Sequence, residues 1–171
     1  MIINLTNTCL IKPISLEQSK EIKNLYELCS DYHIIYSGRK ANEQDIKDIF
    51  TYTEDKTSKN SLTLGIYELN ELIGLIDIFK NYPKENTWFI GLLLLSPNNR
   101  GNKLGSLVHS ELVKYALGLD ADFFRIGVLE ENILAHKFWE SLGYQKHKVA
   151  TIKFENKEHL LDIYELDLTI I

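Results

Sequence analysis

Leu92-Leu-Leu-Leu-Ser-Pro-Asn-Asn-Arg-Gly-Asn-Lys-Leu-Gly-Ser106 reads as a buried strand, a polar turn and the start of a helix. A chain leaving a strand in this way aims several backbone N–H groups of the first helical turn at one point, and with the helix dipole they make a place for phosphate. Gly101 and Gly105 lack a Cβ, so an oxyanion can approach the main chain there. Arg100 and Lys103 add local positive charge. Taken alone, glycine and charge favour the plainer reading, an ordinary strand-to-helix turn with solvated basic side chains. The sequence contains no G-x-x-x-x-G-K-[ST] and no G-x-G-x-x-G, so a P-loop nucleoside triphosphatase or a Rossmann dinucleotide enzyme has no support.

Outward from this stretch the hydrophobic period alternates between strand and helix. Upstream, Cys9 to Ile14 is a short apolar strand ending near Pro13. Ser15 can cap a helix whose stripe is Ile22, Leu25, Tyr26 and Cys29 and which ends near Ser30. A loop carrying Tyr32, His33, Tyr36, Gly38 and Arg39 follows, and Asn42 with Asp45 caps a shorter helix bearing Ile46, Ile49 and Phe50. Leu62–Glu68 and Leu72–Phe79, around Asn70-Glu71, form a hairpin. Thr87 to Leu95 is apolar on both parities, as in a strand buried on both faces.

Downstream, Leu104, Leu107, Val108, Leu112 and Tyr115 share a helical face that Gly118 ends. Phe123–Leu129 is a strand, and Ala135, Phe138, Trp139 and Leu142 mark a helix closed by Gly143. Lys148–Phe154 and Leu160–Leu168 are two strands joined by the polar Glu155-Asn156-Lys157-Glu158. The order β α α β β β α β α β β predicts an α+β class with mixed α/β layers, helices covering a sheet.

Composition bounds the function. At 171 residues, 44% hydrophobic and 25% charged, the chain fits one folded domain spanning 1–171. A net charge of -5 has the wrong sign for a non-specific nucleic-acid or anionic-membrane binder, so neither partner is expected. The apolar run Trp88–Leu95 is far short of a membrane span, and the N-terminus has no secretory pattern, which makes the cytoplasm the expected location. Cys9 and Cys29 show no metal-binding or redox spacing, and no metal is expected.

Arg100-Gly-Asn-Lys-Leu-Gly-Ser, together with Glu130-Glu-Asn-Ile-Leu-Ala-His-Lys-Phe-Trp-Glu-Ser-Leu-Gly-Tyr144, resembles the GNAT superfamily of acyl-CoA-dependent N-acyltransferases. That family's turn is usually written Gln/Arg-x-x-Gly-x-Gly/Ala, and its later element looks like Asn-x-x-Ala-x-x-x-Tyr with a Leu-Gly-Phe ending. The element order is similar to the family's over nearly the whole chain. The resemblance implies a mostly antiparallel central sheet with splayed strands. It also implies acetyl-CoA as cosubstrate, with the main chain of Leu93, Leu94 and Leu95 along its pantetheine arm. Arg100, Gly101, Asn102, Lys103, Leu104, Gly105 and Ser106 would surround the pyrophosphate, and Asn132 would reach the arm while also capping a helix. Phe138 reads as packing beside Ala135, and it and Trp139 are carried as candidates next to the cofactor.

Three positions depart from the family's pattern. Lys103 stands where the family commonly has its first motif glycine. Trp139 stands where many relatives carry a tyrosine acid, and an indole N–H cannot give up its proton near neutral pH. Gly127 corresponds to the strand position where some relatives place a glutamate base. A thioester expels a good leaving group, so the essential demands are a neutral amine, alignment and an oxyanion donor. The donor is expected at the N–H of Leu94 or Leu95. Candidate bases are Asp77, Tyr82, Glu85, Tyr32, His33 and Tyr36, or a water chain. His109 and His136 are expected on helices, partly exposed, with no role.

The implied activity is acetyl transfer to a primary amine of a small molecule or peptide by direct attack on the thioester. Asp31, Glu43, Asp77 and Glu85 would favour a cationic amine. The alternative is a non-catalytic acyl-CoA-binding module of the same fold, which Trp139 and Gly127 favour. The C-terminal edge strands could pair two chains into a homodimer.

Overall fold

Strand-forming alternation and its interruptions account for most of the architecture seen in the computed structural model, which describes residues 1–154 and 157–171. The strands are β1 (Ile3–Asn4), β2 (Cys9–Pro13), β3 (Ser61–Glu68), β4 (Glu71–Phe79), β5 (Thr87–Leu95), β6 (Phe123–Leu129), β7 (Gln145–Phe154) and β8 (Lys157–Asp167). The helices are α1 (Ser19–Leu28), α2 (Ser30–Ser37), α3 (Glu43–Ile49), α4 (Leu104–Leu117) and α5 (Ile133–Ser141). The strands form one sheet in the order β1-β2-β3-β4-β5-β6-β8-β7, in which β5–β6 is the parallel pair and the other described pairs are antiparallel.

Several boundaries differ from the expectations, each for a local reason. Ser15 caps a 3-10 turn, Leu16–Gln18, through a reciprocal box with Gln18, and α1 starts only after it. The expected loop carrying Tyr32, His33 and Tyr36 is a second helix, α2, that ends at Gly38 in the left-handed region (φ 72). Its apolar and polar residues do not segregate to one stripe, so periodicity gave no signal; packing of Tyr32 and His33 against the core holds it. The Asn42/Asp45 box at α3 forms as expected, and Leu69-Asn70, both at positive φ, make the hairpin turn. β7 and β8 begin earlier than alternation suggested, because outer-strand residues such as Gln145 to Lys148 are exposed and polar. Of the expected polar connection, Glu155 and Asn156 lie outside the described residues, while Lys157 and Glu158 belong to β8.

Two apolar layers flank the sheet. Val108, Leu112 and Ala116 of α4 and Trp139 of α5 pack with Phe124, Ile126 and Val128 on one face. Ile22, Leu25 and Tyr26 of α1 and Ile46 of α3 cover Leu75 and Leu94 on the other. Along β5, Asp77 pairs with Leu92 but Ile78 pairs with Ile90, leaving Gly91 as the extra residue of a β-bulge. The bulge inverts the facing of every residue after it. Trp88 and Ile90 therefore lie under α4, whereas Leu92 and Leu94 lie against α1. A strand with both faces covered and a mid-strand inversion is apolar on both parities, which is what the sequence displays.

Beyond the bulge β5 also parts from β6. Parallel pairing covers only Thr87–Ile90 against Phe123–Ile126. β6 continues to Leu129 on β8, while Leu92–Leu95 stays on β4. The result is a wedge between β5 and β6, closed at Ile90 and open at Leu95.

Candidate active site

The edge of β5 that lines the wedge is set by strand alternation. Ser96 N–H donates to Ile73 O at 2.8 Å, which fixes the side of the strand that faces β4. Alternation then turns the N–H of Leu94 into the β4 ladder and those of Leu93 and Leu95 toward the wedge. The Leu95 carbonyl on that edge accepts from Arg100 Nε at 2.9 Å and from Cys29 Sγ at 3.5 Å. Leu95 and Leu93 thus present N–H groups to the opening, and Leu94 does not.

At the wide end of the wedge the chain turns through Pro97–Asn99 and enters α4. Gly101 (φ 77) and Lys103 (φ 66) both adopt the left-handed conformation. Lys103 therefore does what glycine does at this position, at a steric cost of roughly 1–2 kcal/mol. Asn102 Oδ1 accepts from Leu104 N–H at 3.1 Å, and the next two N–H groups, of Gly105 and Ser106, have no partner among the described residues. A Cβ on Gly105 would lie 3.2 Å from the Phe138 ring, so α4 meets α5 at this glycine. Arg100 is turned away from the helix end: its guanidinium grips both carboxylate oxygens of Asp31, the second at 3.3 Å, and holds that carboxyl below the usual range. It thereby ties α2 to the end of β5.

On α5, Asn132 caps as expected, its Oδ1 accepting from Ala135 N–H at 3.2 Å. Trp139 is buried among the rings of His109, Phe138 and Tyr144. His109 is buried as well, contrary to expectation, because α4 lies flat on the sheet there. It shares a 3.0 Å hydrogen bond with Tyr144, and burial lowers its pKa to about 4. His136 is half-buried and lies 2.8 Å from the Tyr164 hydroxyl. At Gly127 a Cβ would lie 2.3 Å from Leu161 Cδ2, so Leu161 fills the space a glutamate would need.

Asp77 lies on the α1 face opposite Leu92, and both its oxygens are taken, by Lys56 Nζ at 2.9 Å and by Thr63 Oγ1 at 2.9 Å. Burial pushes its carboxyl up against the pull of the Lys56 ammonium and the Thr63 hydroxyl. Lys56, itself buried, also donates to the Ile49 carbonyl. Sequence reasoning passed over Lys56 because a lone lysine in a polar loop carries no pattern. Tyr82 packs on Phe79 and Phe89 in the paired half of β5, about 13 Å along the strand from Leu93 at ordinary strand rise. Glu85 is exposed. On α2 the Tyr32 ring meets His33 edge-on and stacks on Tyr36, and Tyr36 stacks in turn on His159 of β8, whose ring lies 6.4 Å away. Nothing in the sequence marked His159, whose role depends on the pairing of β8.

Residues 22–144 match the model of the Acetyltransferase (GNAT) family. No curated protein matches the chain in sequence. Among solved structures, an acetyltransferase from Thermus thermophilus is 19% identical with a TM-score of 0.74, over 94% of this chain and 97% of its own. The acetyl transferase of Salmonella typhimurium that modifies the N-terminal serine of a ribosomal subunit protein is 13% identical with a TM-score of 0.78, over 98% and 99%. A microcin self-immunity acetyltransferase in complex with acetyl-CoA and AMP is 15% identical with a TM-score of 0.75, over 95% and 94%. At these identities the likeness to the solved structures is one of fold.

Proposed function

Because this chain belongs to the GNAT acetyltransferase family and is an acyl-CoA-dependent N-acetyltransferase, we propose that it acetylates a primary amine of a small molecule or peptide by direct attack of the neutral amine. The observation that carries the reading is the continuity of the β5 edge at Leu93 and Leu95 with the N–H groups of Gly105 and Ser106, both without a partner among the described residues. One linear ligand with an amide-rich arm and a diphosphate satisfies both at once. Acetyl-CoA supplies an acetyl thioester, from whose carbon the amine displaces the thiolate as a C–N bond replaces the C–S bond.

The residues of this chain take the following roles. Gly101, Asn102, Lys103, Leu104, Gly105 and Ser106 surround the diphosphate, which the main-chain N–H groups of Gly105 and Ser106 and the Lys103 ammonium receive. Leu95 N–H and Leu93 N–H follow along β5, and Leu93, deeper in the wedge, donates to the oxygen of the reacting carbonyl. Arg100 acts as a positioning residue through the Leu95 carbonyl. Asn132 and Phe138 wall the arm from α5, and Trp139 supports that wall from the core. Asp77, with both oxygens held, anchors β4 opposite the bulge, and the amine's proton passes to water. Rate should then follow the amine's own ionisation as pH rises.

Release of CoA thiol on mixing the protein with acetyl-CoA and a panel of amines tests the reading. Tight acetyl-CoA binding with no turnover on any amine would instead support a non-catalytic acyl-CoA-binding module, which the buried Trp139 and the covered Gly127 favour. We further place the protein in the cytoplasm, with two buried free thiols that suit a reducing compartment. No helix among the described residues is long and apolar enough to cross a membrane. β7, an outer strand of the sheet, is the edge on which a homodimer would form, and size-exclusion with light scattering reports it.

A further inference from the structure

Two of the four carboxylates that the sequence singled out for a cationic acceptor are neutralised: Asp31 holds Arg100, and Asp77 holds Lys56. Acidic groups gather elsewhere. A cavity of about 140 Å³ is lined by Leu129, Glu130, Glu131, Glu158, His159 and Leu160. It sits where β6 ends against β8, with Glu130 N–H donating to Leu160 O at 3.1 Å, one residue before the Glu131-Asn132 entry to α5. His159 lines the same cavity, is 5% exposed, and its Nε2 has no hydrogen-bond partner among the described residues. The Tyr36 ring stacks on it at an interplanar angle of 13°, so the α2 aromatic stack leads to this point.

We propose that this cavity holds a second ammonium group of the acceptor, which makes the preferred acceptor a dicationic amine. The inference rests on the acetyl-transfer reading above. An ammonium group brings three donors and no acceptor. The exposed carboxylates of Glu130 and Glu158 meet two of those donors at the rim. The buried imidazole, in its Nδ1–H tautomer, meets the third with the Nε2 lone pair. β6 runs three residues from Ile126, where pairing with β5 stops, to Leu129. At strand rise this is on the order of 10 Å beyond the closed end of the wedge, which puts the cavity on the side where the wedge is open. An acceptor with a single charge fills only one of the two places.

Calorimetric titration of the CoA-saturated protein with diaminoheptane and with heptylamine tests the proposal, alongside CoA-thiol release across diaminoalkanes from propane to octane. The diamine is expected to bind about tenfold tighter than the monoamine. Turnover should pass through a maximum with diamine length, as two fixed nitrogen positions require. In the double variant Glu130→Gln/Glu158→Gln the preference should collapse to about twofold or less, as two screened charge pairs are lost. His159→Phe, which keeps the stack on Tyr36 and removes the nitrogen, should lower it several-fold. Equal affinity for the two amines in the unaltered protein, or a preference that survives the double variant, overturns the proposal while leaving acetyl transfer standing. A preference that collapses in the variant although no amine releases thiol supports the cavity and overturns the acetyl-transfer reading.

Discussion

Gly105 packs so closely on Phe138 that a side chain there must displace the ring or tilt α4. Gly105→Val is therefore expected to weaken acetyl-CoA affinity at least about tenfold, measured by calorimetry. A urea melt should show that the variant remains folded. His109 offers a second test at this scale. Its folded-state pKa, near 4, lies below the ordinary histidine value, so the unfolded chain takes up the proton first. Its contribution is complete above pH about 6.5 and is lost as pH falls toward 4, by about 3 kcal/mol. Melting temperature should fall over that window, and His109→Gln should flatten the fall. The motif glycines, Asn132 and the Lys103 departure were legible as residues in the sequence. The burial of His109 was not, because one helical stripe does not say which of its flanking residues the sheet will cover.

At the scale of elements, the buried Lys56–Asp77 pair joins the segment after α3 to β4. Removing one partner strands the other charge, so Asp77→Ala should cost about 3–5 kcal/mol in urea unfolding, and a Lys56→Met/Asp77→Leu double variant should recover most of it. Turnover retained by that double variant supports Asp77 as an anchor; stability recovered with activity gone would make it the proton acceptor. At Gly127 a methyl group meets Leu161, and Gly127→Ala should destabilise by about 1–3 kcal/mol, again read in urea. The strands from β2 onward and α4 were readable from period alone, whereas the two-residue β1 is too short to show one. α2 was not, since its residues do not segregate, and neither was the bulge, since Gly91 in an apolar run resembles any strand glycine.

For the molecule as a whole, the wedge predicts coupling between ligand and stability. Acetyl-CoA at a hundred times its dissociation constant should add about 2.7 kcal/mol. For a chain of this length that corresponds to a rise in melting temperature of about 5–10 °C, readable by calorimetry. No shift would remove the cofactor site and leave the fold alone. By itself the sequence determined the family and the succession of strands and helices apart from β1 and α2, because these depend on local period, glycine placement and short spacings. The tertiary structure alone decided that Gly91 turns Leu92 and Leu94 to the opposite face, that Arg100 closes on Asp31, and that His159 stands beside Glu130 and Glu158. Those facts depend on pairings between residues far apart in the chain, and strand register, which one extra residue inverts, leaves no local trace.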